Sequence, residues 1–177
     1  MLLSIERVRK IGNLTENDID DATLQYIINE AENTIEALTQ FKFINVSAGE
    51  TLPSATEFFN GGVDKIFTKH RPIQSVTSLK IDGTAQTEDI DFYVYKSEGM
   101  IKFASTVDEG EKIIEVTYTY GFTDSDHEFE IANTAATYLA ISLTLMHLTG
   151  GEKKALMYYN LFEKTIQHLK DETLTVI

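Results

Sequence analysis

The sequence predicts an α+β fold in which an antiparallel β-module is inserted between N-terminal and C-terminal helices. Near both ends of the 177-residue chain, apolar residues recur every three or four positions, as on one face of an amphipathic helix. Between residues 41 and 122 they alternate with polar residues, and turn-forming pairs such as Asp82-Gly83 separate the segments. We therefore expect a single domain over residues 1–177, with a helical core of three to four helices and a β-rich insertion.

Two helices are expected in residues 1–40. A short one runs from Ser4 to Lys10, and a longer one runs from about Ala22 to Thr39. Asp20 and Asp21 precede the longer helix, where carboxylates accept hydrogen bonds from the unpaired N–H groups of the first turn. Its apolar stripe consists of Leu24, Ile27, Ile28, Ala31, Ile35 and Leu38.

The β-rich insertion is expected over residues 41–122. Its strands alternate between apolar and polar residues or are rich in β-branched and aromatic ones, and short polar turns separate them. The expected strands lie near residues 66–69, 76–81, 92–95, 100–103 and 112–120. Because the connections are short and turn-like, an antiparallel meander or a small barrel is predicted.

A helical pair is expected over residues 123–171, followed by a tail at 172–177. Ser125 and Glu128 form a capping-box pattern, which predicts a helix start with Ser125 as the cap. This helix ends at Gly150-Gly151, and the next runs from Glu152 to about Asp171. The last helix has an apolar stripe of Ala155, Tyr159, Phe162, Ile166 and Leu169.

One uncharged segment, residues 131–151, approaches the length of a membrane span. Asn133, Thr137, Thr144 and His147 nevertheless fall on one face of the predicted helix. This pattern indicates a helix largely buried in protein with a narrow polar edge, so we expect no membrane partner.

The charge and composition restrict the chemistry. The net charge is −13 and the 15 Lys and Arg residues form no run, which disfavours tight binding to nucleic acid. The charge either keeps the protein soluble or lines a passage through which nucleic acid slides. Since the chain has no cysteine, disulfides, thiolate metal sites and thiol nucleophiles are excluded.

The densest set of possible metal ligands is Asp124, Asp126, His127 and Glu128. A small metal enzyme built on this cluster would lose activity on Asp126→Ala. Ligands so close in sequence at a helix start mostly point in different directions, and capping already accounts for most of them. None of the four histidines belongs to a two-His helical motif, and no nucleophile elbow or phosphate-cradling loop is present. We predict no catalytic residue, metal or cofactor.

Aromatic residues concentrate in or beside the predicted strands: Phe92, Tyr93, Tyr95, Phe103, Tyr118, Tyr120 and Phe122. In a basic module such residues could stack on bases, but in these acidic surroundings we expect them to pack in the core and across strands. A β-rich module that binds a sugar or peptide in an aromatic groove remains an alternative.

The C-terminal residues, Leu174 to Ile177, are apolar and strand-prone. They either fold onto their own domain or add a strand to a partner.

Two parts of the chain resemble the head–tail connector (adaptor, or neck) proteins of long-tailed double-stranded-DNA phages. Residues 18–36, from Asp18-Ile19-Asp20-Asp21 to Asn33-Thr34-Ile35-Glu36, are similar to the opening helix of that family. The β-insertion of many members resembles a set of segments here: Arg71-Pro72-Ile73, Ser75-Val76-Thr77-Ser78-Leu79, Ile81-Asp82-Gly83, Asp91-Phe92-Tyr93-Val94 and Glu115-Val116-Thr117-Tyr118 to Gly121-Phe122. The order of helix, β-insertion and helical pair also matches, over most of residues 15–165.

The resemblance implies a structural virion protein of the neck, assembled in the host cytoplasm. Such proteins form a ring, commonly of about twelve copies, below the portal, extend the DNA channel and support the next neck or tail protein. DNA would pass through without specific binding, and no catalytic residue or cofactor is implied. Leu174, Val176 and Ile177 are the candidate interface with the portal. A head-closure or tail-completion protein is the main alternative.

Overall fold

The structure, a computed structural model, describes residues 2–148 and 150–174, with the side chains through Asp171. Its helices are α1 (Ile5–Gly12), α2 (Asp21–Thr39), α3 (His127–His147) and α4 (Glu152–Leu174), with a 3₁₀ turn at Val46–Ala48. The strands are β1 (Phe43–Ile44), β2 (Ser54–Phe59), β3 (Lys65–Phe67), β4 (Ile73–Ile81), β5 (Thr84–Ala85), β6 (Phe92–Tyr95), β7 (Met100–Phe103), β8 (Ile114–Tyr120) and β9 (Phe122–Thr123). The predicted α+β class, with helices on both sides of a β-rich segment, is confirmed.

The chain divides into two compact units. The helical unit comprises the described part of residues 1–50 and 123–175, and the β unit is residues 51–122. The N-terminal and C-terminal helices therefore pack within one unit although more than 70 residues separate them in sequence.

Short side chains fix the starts of the first two helices. The Ser4 hydroxyl accepts a hydrogen bond from the Arg7 N–H at 3.2 Å, and the Asp20 carboxylate accepts one from the Thr23 N–H at 2.9 Å. The predicted capping role of Asp20 is confirmed. Each cap stabilises its helix, since it satisfies an N–H group that has no partner within the helix.

The predicted capping box at the start of α3 is wrong. The helix begins one residue later than that pattern requires, with Asp126 at the cap position and no side-chain capping bond. The Asp126 carboxylate instead accepts hydrogen bonds from the N–H and hydroxyl of Thr123, at 2.6 and 2.9 Å. The Asp126 side chain therefore stabilises the preceding turn rather than the start of the helix.

Helix α3 is the centre of the helical unit, and α4 packs along it. The Ser142 hydroxyl in α3 donates to the Ala155 carbonyl in α4 at 2.9 Å, in a buried position. Helix α4 buries a single stripe of Ala155, Tyr158, Phe162, Ile166 and Leu169. Tyr158 replaces the predicted Tyr159, which is 38% exposed, and Leu38 of α2 is also exposed, contrary to expectation. No described helix is long and apolar enough to cross a membrane.

The β unit contains two antiparallel sheets that share one core. One sheet has the order β2-β8-β4-β5 and the other β3-β7-β6. Buried residues from both sheets, among them Leu79, Phe92, Ile101, Val116 and Tyr118, form a single cluster. The predicted antiparallel pairing is correct, but a simple meander is not, because β8 lies between β2 and β4, far from both in sequence.

Candidate assembly surfaces

The three-stranded sheet exposes a basic and aromatic outer face. The strands alternate strictly, so that Ile66, Phe92, Ile101 and Phe103 point into the core. The opposite side chains form what we call the basic aromatic face: Lys65, Phe67, Tyr93, Tyr95, Met100 and Lys102.

The strand register arranges these six side chains in two rows. Phe67 is opposite Met100, which is opposite Tyr95, and Lys65 is opposite Lys102, which is opposite Tyr93. One row is therefore apolar and aromatic, and the next carries two ammonium groups and a phenol. Cross-strand neighbours lie about 5 Å apart, so each row is a continuous patch.

The basic aromatic face is open to solvent and carries no acidic side chain. Phe67 is 56% exposed, Tyr93 44% and Tyr95 42%. The Lys65 ammonium lies 5.8 Å from the centre of the Phe67 ring, a cation–π distance. Neither Lys65 nor Lys102 forms an ion pair within residues 2–148 and 150–174. Lys65 and Lys102 thus form a small basic patch although they belong to no basic run in the sequence.

The sequence interpretation of the aromatic residues is correct for some of them only. Phe92, Phe103, Tyr118 and Phe122 are buried, as expected for core packing. Tyr93 and Tyr95 are not, because they occupy the outward positions of β6. The burial of alternate residues follows from the pleat, whereas the sequence alone does not tell which face of a strand is covered.

A shallow pocket of about 490 Å³ adjoins the basic aromatic face. Lys65, Phe67 and Met100 line it from the sheet, and Lys69 with Arg71 and Glu98 complete its wall. Cations outnumber carboxylates there by three to one. The positive character of the face thus continues beyond the strands.

The outer face of the four-stranded sheet is different, because its side chains pair with one another. The Thr56 and Thr117 hydroxyls are 2.9 Å apart, as are those of Ser75 and Thr119. An ion pair of 3.3 Å joins Lys80 to Glu115 farther along the same strands. This face satisfies its own polar groups and offers few that require a partner.

A buried tyrosine links β8 to the segment after β3. Tyr118 is fully buried, its hydroxyl donates to the Glu57 carboxylate, and it accepts from the His70 backbone N–H at 3.2 Å. Burial and the bond to Glu57 raise the pKa of the Tyr118 phenol well above its usual range. The His70 ring stacks on Tyr120 at 4.3 Å. The arrangement holds the β unit together and leaves His70 packed against a ring rather than facing a reactive partner.

The helical unit carries a groove with an acidic rim, which we call the acidic groove. Its volume is about 560 Å³, and Tyr26, Ile27 and Leu148 supply its apolar wall. The rim consists of the segment Glu16–Asp20 with Thr23 and His147. Among these residues there is no Lys or Arg.

The acidic rim remains charged under mild conditions. A hydrogen bond from the Thr15 hydroxyl lowers the pKa of Asp18, and a bond from the Thr23 backbone N–H lowers that of Asp20. Tyr26 is 65% exposed beside them. The groove therefore combines negative charge with uncovered aromatic surface.

The Asp124–Glu128 cluster does not assemble into a metal site. Asp124 accepts from the Val46 N–H at 2.9 Å and from the Ser47 hydroxyl, and the Ser47 bond lowers its pKa. Asp126 is occupied by Thr123, as described above. Within the described parts of the chain, no three His, Asp or Glu side chains are grouped closely enough to hold a metal ion.

The predicted tail interface falls at the limit of the structure. Helix α4 extends through Leu174, so this residue is helical rather than strand-like. Its side chain, and all of Val176 and Ile177, lie outside the described residues. Their role as an interface therefore stays a prediction.

Comparison with known proteins gives two matches. A family model described as head completion protein matches residues 1–147. The chain is also similar in structure to one in the neck of an empty GTA particle computed with C6 symmetry. The two share 17% sequence identity with a TM-score of 0.54, and the match covers 84% of this chain and 80% of that one. At this identity the likeness establishes the fold. No curated protein matches the chain.

Proposed function

Because this chain belongs to the head completion protein family, we propose that it acts as a connector ring at the head–tail junction of a virion. The ring sits below the portal, extends the DNA channel and joins the capsid to the next neck or tail protein. The family is one of structural neck proteins rather than of enzymes. The single observation that carries the proposal is the family match over residues 1–147.

The fold of the chain supports the proposal. The same architecture is found in the neck of a GTA particle whose structure was computed with six-fold symmetry. A closed ring requires that each copy present two different surfaces, one to each neighbour. A ring of about twelve copies is compatible with six-fold symmetry, because twelve is a multiple of six.

The charge of the chain supports passage of DNA without adhesion. A net charge of −13 disfavours the approach of phosphate groups to the protein as a whole. Tight binding in a channel would hold the genome in place, whereas repulsion lets it slide. We therefore expect no sequence-specific affinity for duplex DNA.

Negative-stain imaging of the purified protein tests the proposal, with the protein alone and then mixed with the portal of the same virus. We expect closed rings of about a dozen subunits, or added density under the portal. If the protein instead binds the tail tube and ignores the portal, it is a tail-completion protein. If it stays monomeric with both, a binding-module function with a ligand on the β unit replaces the connector role.

The C-terminal residues provide a second, separate proposal. We infer that Leu174, Val176 and Ile177 dock on the portal, since these three residues are apolar and an apolar segment is suited to bury its side chains against a partner. Deletion of residues 174–177 should abolish portal binding while the far-ultraviolet circular dichroism of the protein stays unchanged. Undiminished portal binding by the truncated protein contradicts this role.

A further inference from the structure

We propose that the basic aromatic face of one copy docks on the acidic groove of the next copy in the ring. This inference rests on the proposed function and specifies which surfaces form the contact between subunits. The two surfaces belong to different units of the chain, so the contact is head-to-tail: each copy uses its face toward one neighbour and its groove toward the other.

The basic aromatic face has the composition of a protein interface. Aromatic residues, Met and cations are enriched at such interfaces, and this face presents Phe67, Tyr93, Tyr95 and Met100 beside two lysines. Exposed aromatic surface of this extent is unfavourable in water unless something covers it. The inner side of the same strands is already covered by the core.

The choice of a second copy as the occupant follows from charge. Lys65 and Lys102 are exposed and form no ion pair within the described residues. The acidic groove offers the complementary set, with carboxylates on its rim, no cation in its lining and an exposed Tyr26 to cover. Oppositely charged surfaces steer partners together and fix their register.

Nucleic acid fits the face less well than a protein does. Phosphate groups would meet the two lysines, but Phe67 and Met100 occupy the next row of the sheet and would stay uncovered on a duplex. Stacking on Tyr93 and Tyr95 would require unpaired bases. The rest of the chain adds repulsion, since its net charge is −13.

Engineered cysteines test the contact directly, because the chain has none of its own. Lys102→Cys places a thiol on the face, and Asn17→Cys places one at the groove. The two single variants, mixed under ring-forming conditions and oxidised, should give a disulfide-linked dimer that neither gives alone at comparable yield. Ser54→Cys, exposed on β2 in the other sheet, is the matched control and should give no such product with Asn17→Cys.

Charge reversal and truncation measure what the contact contributes. Lys65→Glu with Lys102→Glu should raise the protein concentration needed for ring formation at least about tenfold. Lys112→Glu, a single charge reversal in the loop before β8, should leave it unaltered. Phe67→Ser should weaken assembly similarly, and Phe58→Ser on the other sheet should not, although the two rings are 56% and 57% exposed.

A compensating change identifies the partner surface. Glu16→Lys with Asn17→Lys, both exposed at the groove, should restore ring formation to the Lys65→Glu, Lys102→Glu protein and should weaken it in the otherwise unchanged chain. Failure of this rescue, together with an absent disulfide product, overturns the groove as the counterpart.

The outcomes separate this inference from the proposed function. If the Lys65→Glu, Lys102→Glu protein forms rings as readily as the wild-type protein does, the proposed contact is wrong and the connector role stands. A wild-type protein that forms no ring, with or without portal, overturns both. If the double variant keeps its rings but loses binding to single-stranded or duplex DNA in a gel-shift assay, the face binds nucleic acid and the contact is wrong.

Discussion

Replacing Tyr118 by Phe should destabilise the β unit while leaving its packing intact. The Tyr118 ring is fully buried in the core shared by the two sheets, and Phe keeps that ring. The change removes only the hydroxyl, which donates to Glu57 and accepts from the His70 N–H at 3.2 Å. The effect therefore isolates one hydroxyl and its two part-buried hydrogen bonds.

The size of the effect follows from the two bonds. A hydrogen bond to a carboxylate contributes about 1.5–3 kcal/mol, and a neutral one about 1 kcal/mol. In the Phe variant, Glu57 is half-buried and still accepts hydrogen bonds from the Lys69 N–H at 3.1 and 3.2 Å. The Lys69 backbone and water therefore offset part of the free energy lost with the Tyr118 hydroxyl. We expect the free energy of unfolding of the β unit to fall by about 2–3 kcal/mol.

Hydrogen exchange of the β8 amides, with urea unfolding followed by circular dichroism, measures this change for the β unit. Tyr120→Phe is the matched control on the same strand, since the Tyr120 ring stacks on His70 and its hydroxyl has no hydrogen bond to any residue that the structure describes. It should change stability by less than about 0.5 kcal/mol. Equal effects of the two variants, or a Tyr118→Phe effect below about 0.5 kcal/mol, would refute the reasoning.

The pH dependence gives an independent check. The pKa of Tyr118 is higher in the folded state than in the unfolded state, so its contribution is fully present below pH 10.0, the ordinary value, and is lost as the pH rises through the folded-state pKa. The wild-type protein should therefore lose this contribution in strong alkali. Tyr118→Phe should lack that component, because it has no phenol at this position to ionise.

Three further changes follow from the contacts. Ser47→Ala should raise the pKa of Asp124, measured by NMR titration, toward its ordinary value, because the Ser47 hydroxyl is the largest cause of its lowering; an unchanged pKa would count against that bond. Gly61→Ala should cost about 3 kcal/mol or more of unfolding free energy, since an added methyl group would lie 1.9 Å from a backbone carbonyl oxygen. Leu169→Ala in α4 should lower the free energy of unfolding by about 2–5 kcal/mol, because the Leu169 side chain is fully buried. Leu156→Ala, at a residue that is 58% exposed, should lower it by less than about 0.5 kcal/mol, and thermal unfolding of the two variants makes the comparison.

Local signals in the sequence were sufficient to predict that the four helices exist and roughly where each one lies. Ser4 and Asp20 cap α1 and α2 because the donor and acceptor are three residues apart, so the contact depends on no distant element. The same local pattern failed at Ser125, where a competing turn uses Asp126 first. In α4 the buried stripe includes Tyr158 rather than Tyr159, since a shift of one residue rotates a side chain by 100° and only the partner helix decides between them.

The order of the strands in the two sheets could not be predicted from local signals in the sequence. Strand β8 pairs with β2 on one side and β4 on the other, and no spacing in the sequence records which of several similar strands is the neighbour. The basic aromatic face depends on strand pairing, because its residues come from β3, β6 and β7, which together extend over 39 residues of the sequence. Lys65 and Lys102 look isolated in the sequence and become direct neighbours only through the register of β3 and β7.

The two outer faces of the β unit differ in a way that bears on assembly. On the four-stranded sheet, hydroxyl pairs and the Lys80–Glu115 ion pair satisfy the side chains from within the same molecule. On the three-stranded sheet, Lys65 and Lys102 have no such ion pair within the described residues, and the aromatic rings beside them are uncovered. Cross-strand pairing of opposite charges is available to any sheet and stabilises it by a few tenths to about 1 kcal/mol. A β unit that takes this gain on the outer face of one sheet and forgoes it on the outer face of the other is suited to receive complementary charges there from another molecule.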